Sequence, residues 1–473
     1  MATVHVMVGI PGSGKSTFSK EFSKANNIMI VSSDTVRNLH PDWEEKLIFP
    51  EVYRLVAEEL KQNHDVILDA TNVTKKVRVR IKEKLAPYEV EYDMEAYYFP
   101  IAYNVCYERV EKRNQDKNER YFPLDVLKSY YDTIEIPCFS EGFKEVHVME
   151  QTKLEDMKDI LTKGIIDNKE QGYAFFYSDK RGTVEDCNGI KGINQSDLID
   201  FDTNFRLASV SKQFIAYGIY TLIKENKLSY DTKLNDIFYI GEYAKDITVK
   251  HMLNHNSGLL DYEDMDHTDK QIHDLDVLEF LKKQDHLFFE VGEKYQYSNT
   301  AYVILGLIIE KISKEKLGDY IYNNVFLKAG MTNSIVNYQG ETEVSKRAYG
   351  HMLINDKIVL KDQYWCSATI GDGGLYSNLN DLKKWIKFLR KLYETDKEFF
   401  EANILPNGEN SEYALGIRHI VRKGIDIIYH CGETIGFNTI VGFVPSENKE
   451  FILLTNLGDH SCSRLIDNLV EIL

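Results

Sequence analysis

Gly9-Ile-Pro-Gly-Ser-Gly-Lys15-Ser16-Thr17 follows directly on the apolar run Val4-His-Val-Met-Val8. The pattern G-x-x-x-x-G-K-[S/T], with a strand before it and a helix-compatible stretch after it, is what cradling a nucleotide's phosphates requires. Gly9, Gly12 and Gly14 let the backbone bend so that successive N–H groups point at a phosphate. Ser13 and Thr17 complete the loop, Lys15 neutralises charge, and the Ser16 hydroxyl can ligand Mg²⁺. The loop starts nine residues in, which leaves no room ahead of it for a basic segment and an apolar core, so a cytoplasmic location is expected.

Outward from the loop, short apolar runs (Val4–Val8, Ile28–Val31, Val66–Asp69, Ala96–Phe99, Val146–Met149) alternate with helix-like segments (Lys15–Ala25, Glu51–Gln62, Lys75–Leu85, Leu124–Thr133). That alternation predicts an α/β domain with a parallel sheet and flanking helices over residues 1–150. Residues 151–169 read as a polar linker with one short helical pattern, Leu154–Leu161. An alternating apolar run, Tyr173-Ala-Phe-Phe-Tyr177, then opens a second domain, 170–473. Its strand-like stretches lie near its start (173–190) and end (414–456), with long amphipathic stretches between (209–227, 299–315, 379–394). This predicts an α+β domain whose sheet is built from both ends.

At 473 residues, 43% of them hydrophobic, the chain can bury two cores. No apolar stretch is long enough to span a bilayer. The six cysteines lack C-x-x-C or metal-ligand spacing, which fits reduced thiols and argues against disulfides and structural zinc. The net charge of −17 argues against unspecific nucleic-acid binding. Residues 1–150 hold 20 Lys and Arg against 25 Asp and Glu (−5), the remainder 37 against 49 (−12), so the first domain is the less acidic.

In that domain Ser32-Ser-Asp34-Thr-Val-Arg37 follows the second strand and Asp69-Ala-Thr-Asn72 ends the third, both at carboxyl ends of strands, where open α/β sheets bind ligands. Asp34 could take an acceptor hydroxyl's proton or simply cap a helix. Asp69 could orient Mg²⁺ or its water, or mark a turn. Cys106-Tyr-Glu-Arg109-Val-Glu-Lys-Arg113-Asn114 and Lys117-Asn-Glu-Arg120 supply cations that could close over a nucleotide. The run from Lys75 to Lys84 reads as a solvated helix face before it reads as a nucleic-acid track.

Together with Arg120-x-x-Pro123, Ile136-Pro137 and Glu141-Gly-Phe143, these motifs resemble the polynucleotide 5′-kinase branch of the AAA-type P-loop kinases over essentially all of residues 1–150. The resemblance implies ATP and Mg²⁺ as cofactors on Lys15 and Ser16, Asp34 activating a 5′-hydroxyl, and Arg37 on the acceptor's neighbouring phosphate. Arg113 and Arg120 would hold the donor phosphates from a lid. Lys117 stands near the place where that family sets its second lid arginine, so either cation could meet the γ-phosphate.

In the second domain Ser209-Val-Ser-Lys212 puts a hydroxyl and an ammonium on one face of a helix start, a pairing that favours an alkoxide nucleophile. Tyr297-Ser-Asn299 follows, and His430-Cys-Gly432 ends an apolar strand-like run. These three elements in this order, with Asn254-His-Asn-Ser257-Gly258-Leu259 and Gly371-Asp-Gly-Gly374-Leu-Tyr-Ser377, resemble class C β-lactamase and penicillin-binding-protein-like serine hydrolases. The resemblance implies an acyl-enzyme on Ser209, proton handling by Lys212 and Tyr297, Asn299 orienting Lys212 and substrate, and an oxyanion hole from the backbone N–H groups of Ser209 and Glu433. His430 stands where β-lactamases proper carry the lysine of K-T-G, which points to a small ester or amide in place of a β-lactam. The expected partners are a nucleotide, a 5′-hydroxyl nucleic acid or a small-molecule acceptor, and the ester or amide. A binding or assembly role for the second domain is the remaining alternative.

Overall fold

The computed structural model describes residues 1–101, 103–116, 121–149, 154–166, 171–193, 196–264, 270–355, 357–459 and 461–473. The chain divides into two compact units, Met1–Lys153 with Glu471–Leu473, and Leu154–Val470.

The first unit is a five-stranded parallel sheet of β1 (Ala2–Val8), β2 (Met29–Ser32), β3 (Val66–Asp69), β4 (Tyr92–Tyr98) and β5 (Glu145–Val148), in the order β2-β3-β1-β4-β5. Alternation along β1 explains its two faces. Val4, Val6 and Val8 point into one core with Val52, Val56 and Ile81 of the helices Glu45–Lys61 and Lys75–Leu85. Met7 points the other way, into a cluster with Phe18 and Phe22 of the helix Lys15–Asn26. Covering both faces is what a parallel sheet requires. Arg78 departs from the expected solvated face of Lys75–Lys84. It is fully buried, paired with Glu141 at 2.7 Å, and donates to the carbonyls of Asn72 and Val73, so it fastens the segment beyond β3 from beneath.

The second unit carries a six-stranded antiparallel sheet, β13-β14-β15-β16-β6-β7. Its strands are β6 (Tyr173–Asp179), β7 (Gly182–Asn188), β13 (Arg418–Arg422), β14 (Ile425–Thr434), β15 (Phe437–Val444) and β16 (Lys449–Thr455). The join between early and late strands is the β16–β6 pair, with Leu454 opposite Ala174. The helix Ser211–Lys224 is buried around most of its circumference, as is Asn299–Ser313, whose start is fixed by Ser298 accepting from the Ala301 amide at 3.1 Å. Two smaller sheets lay outside the sequence expectation: β8 (Phe205–Arg206) and β9 (Ile335–Val336) flanking β12 (Leu375–Ser377), and the hairpin of β10 (His351–Ile354) and β11 (Lys357–Leu360). Strands of two to four residues give too short an alternation to read. Among the described residues no helix is long and apolar enough to cross a membrane.

Candidate active sites

In the first unit the loop after β1, the helix start after β2 and the turn after β3 converge on a cleft of about 1130 Å³. Gly12, Gly14, Lys15, Ser16, Thr17, Asp34, Arg37, Asp69, Arg109 and Arg113 line it. Gly12 (φ 82°) needs its missing side chain twice over, because a Cβ there would sit 2.7 Å from the Cys106 carbonyl. The loop is tied across the sheet by the Gly9 amide donating to Thr71 O at 3.0 Å. Ser13 is buried. Lys15 turns back on its own loop, donating to Ile10 O at 2.8 Å, and burial lowers its ammonium to about 8. Asp69 is buried at the end of β3. Desolvation raises its carboxyl, while Lys15 and the hydroxyls of Ser16 and Ser19 oppose the rise.

Asp34 is not a helix cap: Ser32 caps the helix Ser33–Leu39 by accepting the Asp34 amide at 3.2 Å, which leaves the Asp34 carboxylate in the cleft. Arg37 is already engaged, bonding Asp34 at 2.8 Å, Ser33 at 3.1 Å and both carboxylate oxygens of Glu45. Arg113 lines the cleft with its Nε buried and without a hydrogen bond, so it can still take an acceptor. Arg109 donates to Gly12 O at 3.1 Å and was visible in the sequence as a cation of the same helix. Lys117 and Arg120 lie outside the described residues. The cradle of backbone amides, the poised lysine and the paired Ser16 and Asp69 oxygens fit a nucleoside triphosphate with Mg²⁺.

In the second unit Ser209 stands in the turn Ala208–Val210, immediately before the helix Ser211–Lys224. Ala208 is held at φ 48°, a strained backbone for a residue with a Cβ, which over-determines the turn that presents Ser209. Lys212, 0% exposed, donates to Ser209 Oγ at 3.0 Å, Asn299 Oδ1 at 2.8 Å and the Asp372 carbonyl at 2.8 Å. All three ammonium hydrogens are thus used, and burial lowers the group to about 8. Tyr297 lays its ring 4.9 Å from the same nitrogen. Its phenol is pushed well up by burial. It makes no hydrogen bond of full geometry, yet Ser209 is close enough to temper that rise.

Asn299 is itself fixed by its amide donating to Asp261 at 2.8 Å. At His430 both ring nitrogens are occupied. Nδ1 donates to the Cys431 carbonyl at 2.6 Å, so Nε2 is the acceptor that receives the Tyr413 hydroxyl at 2.9 Å, and burial holds the ring neutral. Gly432 follows. A Cβ there would meet Leu207 O at 2.1 Å and the Ser209 amide nitrogen at 3.1 Å, so β14 lies against the Ser209 turn, with Glu433 next in the strand. Tyr413, Asp261 and the Asp372 carbonyl were not singled out as site residues. For Asp372 the only signal was its place in Gly371-Asp-Gly-Gly374.

A lysine-paired serine at a helix start, backed by a tyrosine and an asparagine beside an antiparallel sheet, defines the serine hydrolases of penicillin-binding-protein type. The chain belongs to the family described as Beta-lactamase, which it matches over residues 157–469, and residues 4–137 match the family described as AAA domain. Penicillin-binding protein 4* of Bacillus subtilis (strain 168) is 31% identical over 277 residues, 53% of this chain and 60% of that protein. Protein flp of Staphylococcus aureus is 23% identical over 284 residues, 56% of this chain and 55% of that protein. The chain therefore spans little more than half the length of these relatives. Among solved structures, the penicillin-binding protein from Bacillus halodurans superposes with TM-score 0.58 at 22% identity, covering 67% of this chain and 99% of that one. D-amino acid amidase from Ochrobactrum anthropi SV3 gives 0.56 at 20%, covering 67% and 96%. These likenesses establish the fold of the second unit.

Proposed function

We propose that the chain is a two-headed cytoplasmic enzyme, an ATP- and Mg²⁺-dependent kinase acting on a 5′-hydroxyl joined to a serine hydrolase acting on a small ester or amide. The observation that carries the hydrolytic half is the Lys212 ammonium, buried and bonded at once to Ser209, Asn299 and Asp372 O. With its pKa near 8, Lys212 is the group able to accept the Ser209 proton, whereas Tyr297, held protonated, is the donor toward the leaving group. Ser209 Oγ bonds to the acyl carbon as its proton passes to Lys212, the bond to the alcohol or amine breaks as Tyr297 protonates it, Lys212 returns the proton to Tyr297, and water then releases the acid and restores the Ser209 hydroxyl. The N–H groups of Ser209 and Glu433 receive the oxyanion. His430, with both nitrogens committed, positions β14 and does not transfer a proton.

In the first unit Lys15 and the loop amides would hold the donor phosphates, Ser16 and Asp69 the Mg²⁺, and Arg113 the outer phosphate. Mg²⁺-bound ATP supplies the phosphoryl group. Asp34 removes the acceptor's proton. Arg37 must give up Glu45 to bind a phosphate on the acceptor, which favours, as a second reading, a small hydroxylated acceptor without one.

Transfer of labelled γ-phosphate to a 5′-hydroxyl oligonucleotide, lost in Lys15→Ala and Asp34→Ala, supports the first reading, and transfer only to small molecules moves the function to the second. A fluorophosphonate adduct on Ser209, absent in Ser209→Ala, supports the hydrolase. Absence of any adduct on the folded protein returns the second unit to a binding role.

A further inference from the structure

Four side chains on one face of the first unit's sheet remain outside both active sites. Parallel register sets His5 of β1 beside Glu95 of β4, and Glu95 beside Glu145 of β5, while His147 stands two residues along β5 on the same face. Their position is below the carboxyl edge of the sheet, where the nucleotide loop lies. Glu95 Oε2 is the hub, 3.1 Å from His147 Nε2 and 3.7 Å from His5 Nδ1, and His147 Nε2 is 3.6 Å from Glu145 Oε2.

His5 gives the second, independent observation. It sits 6% exposed beneath the aromatic rings of Phe22 and Tyr97, and neither of its ring nitrogens has a hydrogen bond. A buried imidazole left unsatisfied on both sides is costly. Its Nδ1 faces Glu95, and its Nε2 faces Asp65 at 3.9 Å. Asp65 is held in place by the Thr3 amide at 2.7 Å.

We propose that Glu95, Glu145 and His147, with His5 behind Glu95, form a binding site for a divalent transition cation of the zinc type. One imidazole and two carboxylates, with water as a fourth ligand, suit such an ion, and the carboxylates balance its charge. Tetrahedral zinc with bonds of about 2.05 Å places ligand atoms about 3.4 Å apart. The separations of 3.1 and 3.6 Å bracket that value, and the ligand atoms of Glu95, Glu145 and His147 all lie within 4.8 Å of one another, a group that does not include His5. His5 Nδ1 faces the ligand Glu95 at 3.7 Å and its Nε2 faces Asp65 at 3.9 Å, so His5 supports that carboxylate from behind. The bound ion staples β5, an edge strand of four residues, to β4.

The test is titration of the full chain, stripped by chelation, with Co²⁺ and Zn²⁺, read by the visible absorption of tetrahedral cobalt, by bound zinc per chain and by the melting temperature. The wild type is expected to bind one equivalent and to melt higher with zinc. Loss of a direct ligand costs at least as much as loss of its supporting partner, so Glu95→Gln should weaken binding about a hundredfold or more. The double variant Glu145→Gln/His147→Asn, changed only at partly exposed edge positions, keeps the fold intact and should lose both the band and the melting shift. A wild type that binds no more zinc than the double variant overturns the site, as does a zinc-bound wild type whose Co²⁺ spectrum is unchanged by either substitution.

Discussion

Two buried lysines organise the two units, and their surroundings differ. Lys15 and Lys212 are each lowered by burial to about 8. Lys212 spends all three hydrogens on fixed acceptors drawn from three separate parts of its unit, so its geometry is complete before any substrate arrives. Among the described residues Lys15 has only acceptors of its own loop, Ile10 O at 2.8 Å and Ser13 Oγ at 3.5 Å. On the proposed function the same perturbation serves opposite needs: a neutral amine for proton abstraction in one site, a charged one for phosphate in the other.

Breaking the hydrolytic side at its centre has the largest expected effect. Ser209→Ala should lower kcat/KM on an activated ester by about 10⁵–10⁶-fold, with phosphotransfer unchanged. Lys15→Ala should weaken phosphoryl transfer by about 10²–10³-fold, the scale of one lost electrostatic contact, leaving fluorophosphonate labelling of Ser209 intact. A pH series sharpens the contrast because the signs oppose. Neutral Lys212 forms as pH rises through about 8, so ester kcat/KM should climb about tenfold from pH 7 to 9. Over the same range nucleotide affinity, followed by calorimetry, should fall as Lys15 loses its proton. Tyr413→Phe removes one hydrogen bond to His430 and should cost about three- to tenfold in kcat at little change in KM. An equal loss on Asp34-dependent phosphorylation would sink the assignment.

Legibility followed sequence separation. The phosphate loop is contiguous, so its strand and its turn could be read directly, and Ser209 with Lys212 is one helical turn. The second unit's sheet was foreseen because its strands are long and alternate. What stayed hidden depends on strand order or on backbone atoms. The Asp372 carbonyl that completes Lys212 has no side-chain signature. Arg78 looked like one more cation on a basic helix, yet it finds Glu141 across 63 residues. Arg37 looked available for a phosphate, yet Glu45, eight residues on, already holds it. His5 was passed over inside the apolar run Val4–Val8, and only the register with β4 sets it beside Glu95.

The β16–β6 pairing carries a consequence for synthesis on the ribosome. Every strand of the first unit has been translated by residue 148, whereas β6 has no partner on its β16 side until residues 449–455 emerge. At about 5–20 residues per second that gap lasts on the order of tens of seconds. For that interval the nascent chain holds a complete nucleotide cradle beside an unsealed apolar strand, Tyr173–Asp179. The nascent second unit is therefore the part of this chain most in need of a chaperone, and a stall in translation before residue 449 should yield aggregated protein in which the first unit is nevertheless folded.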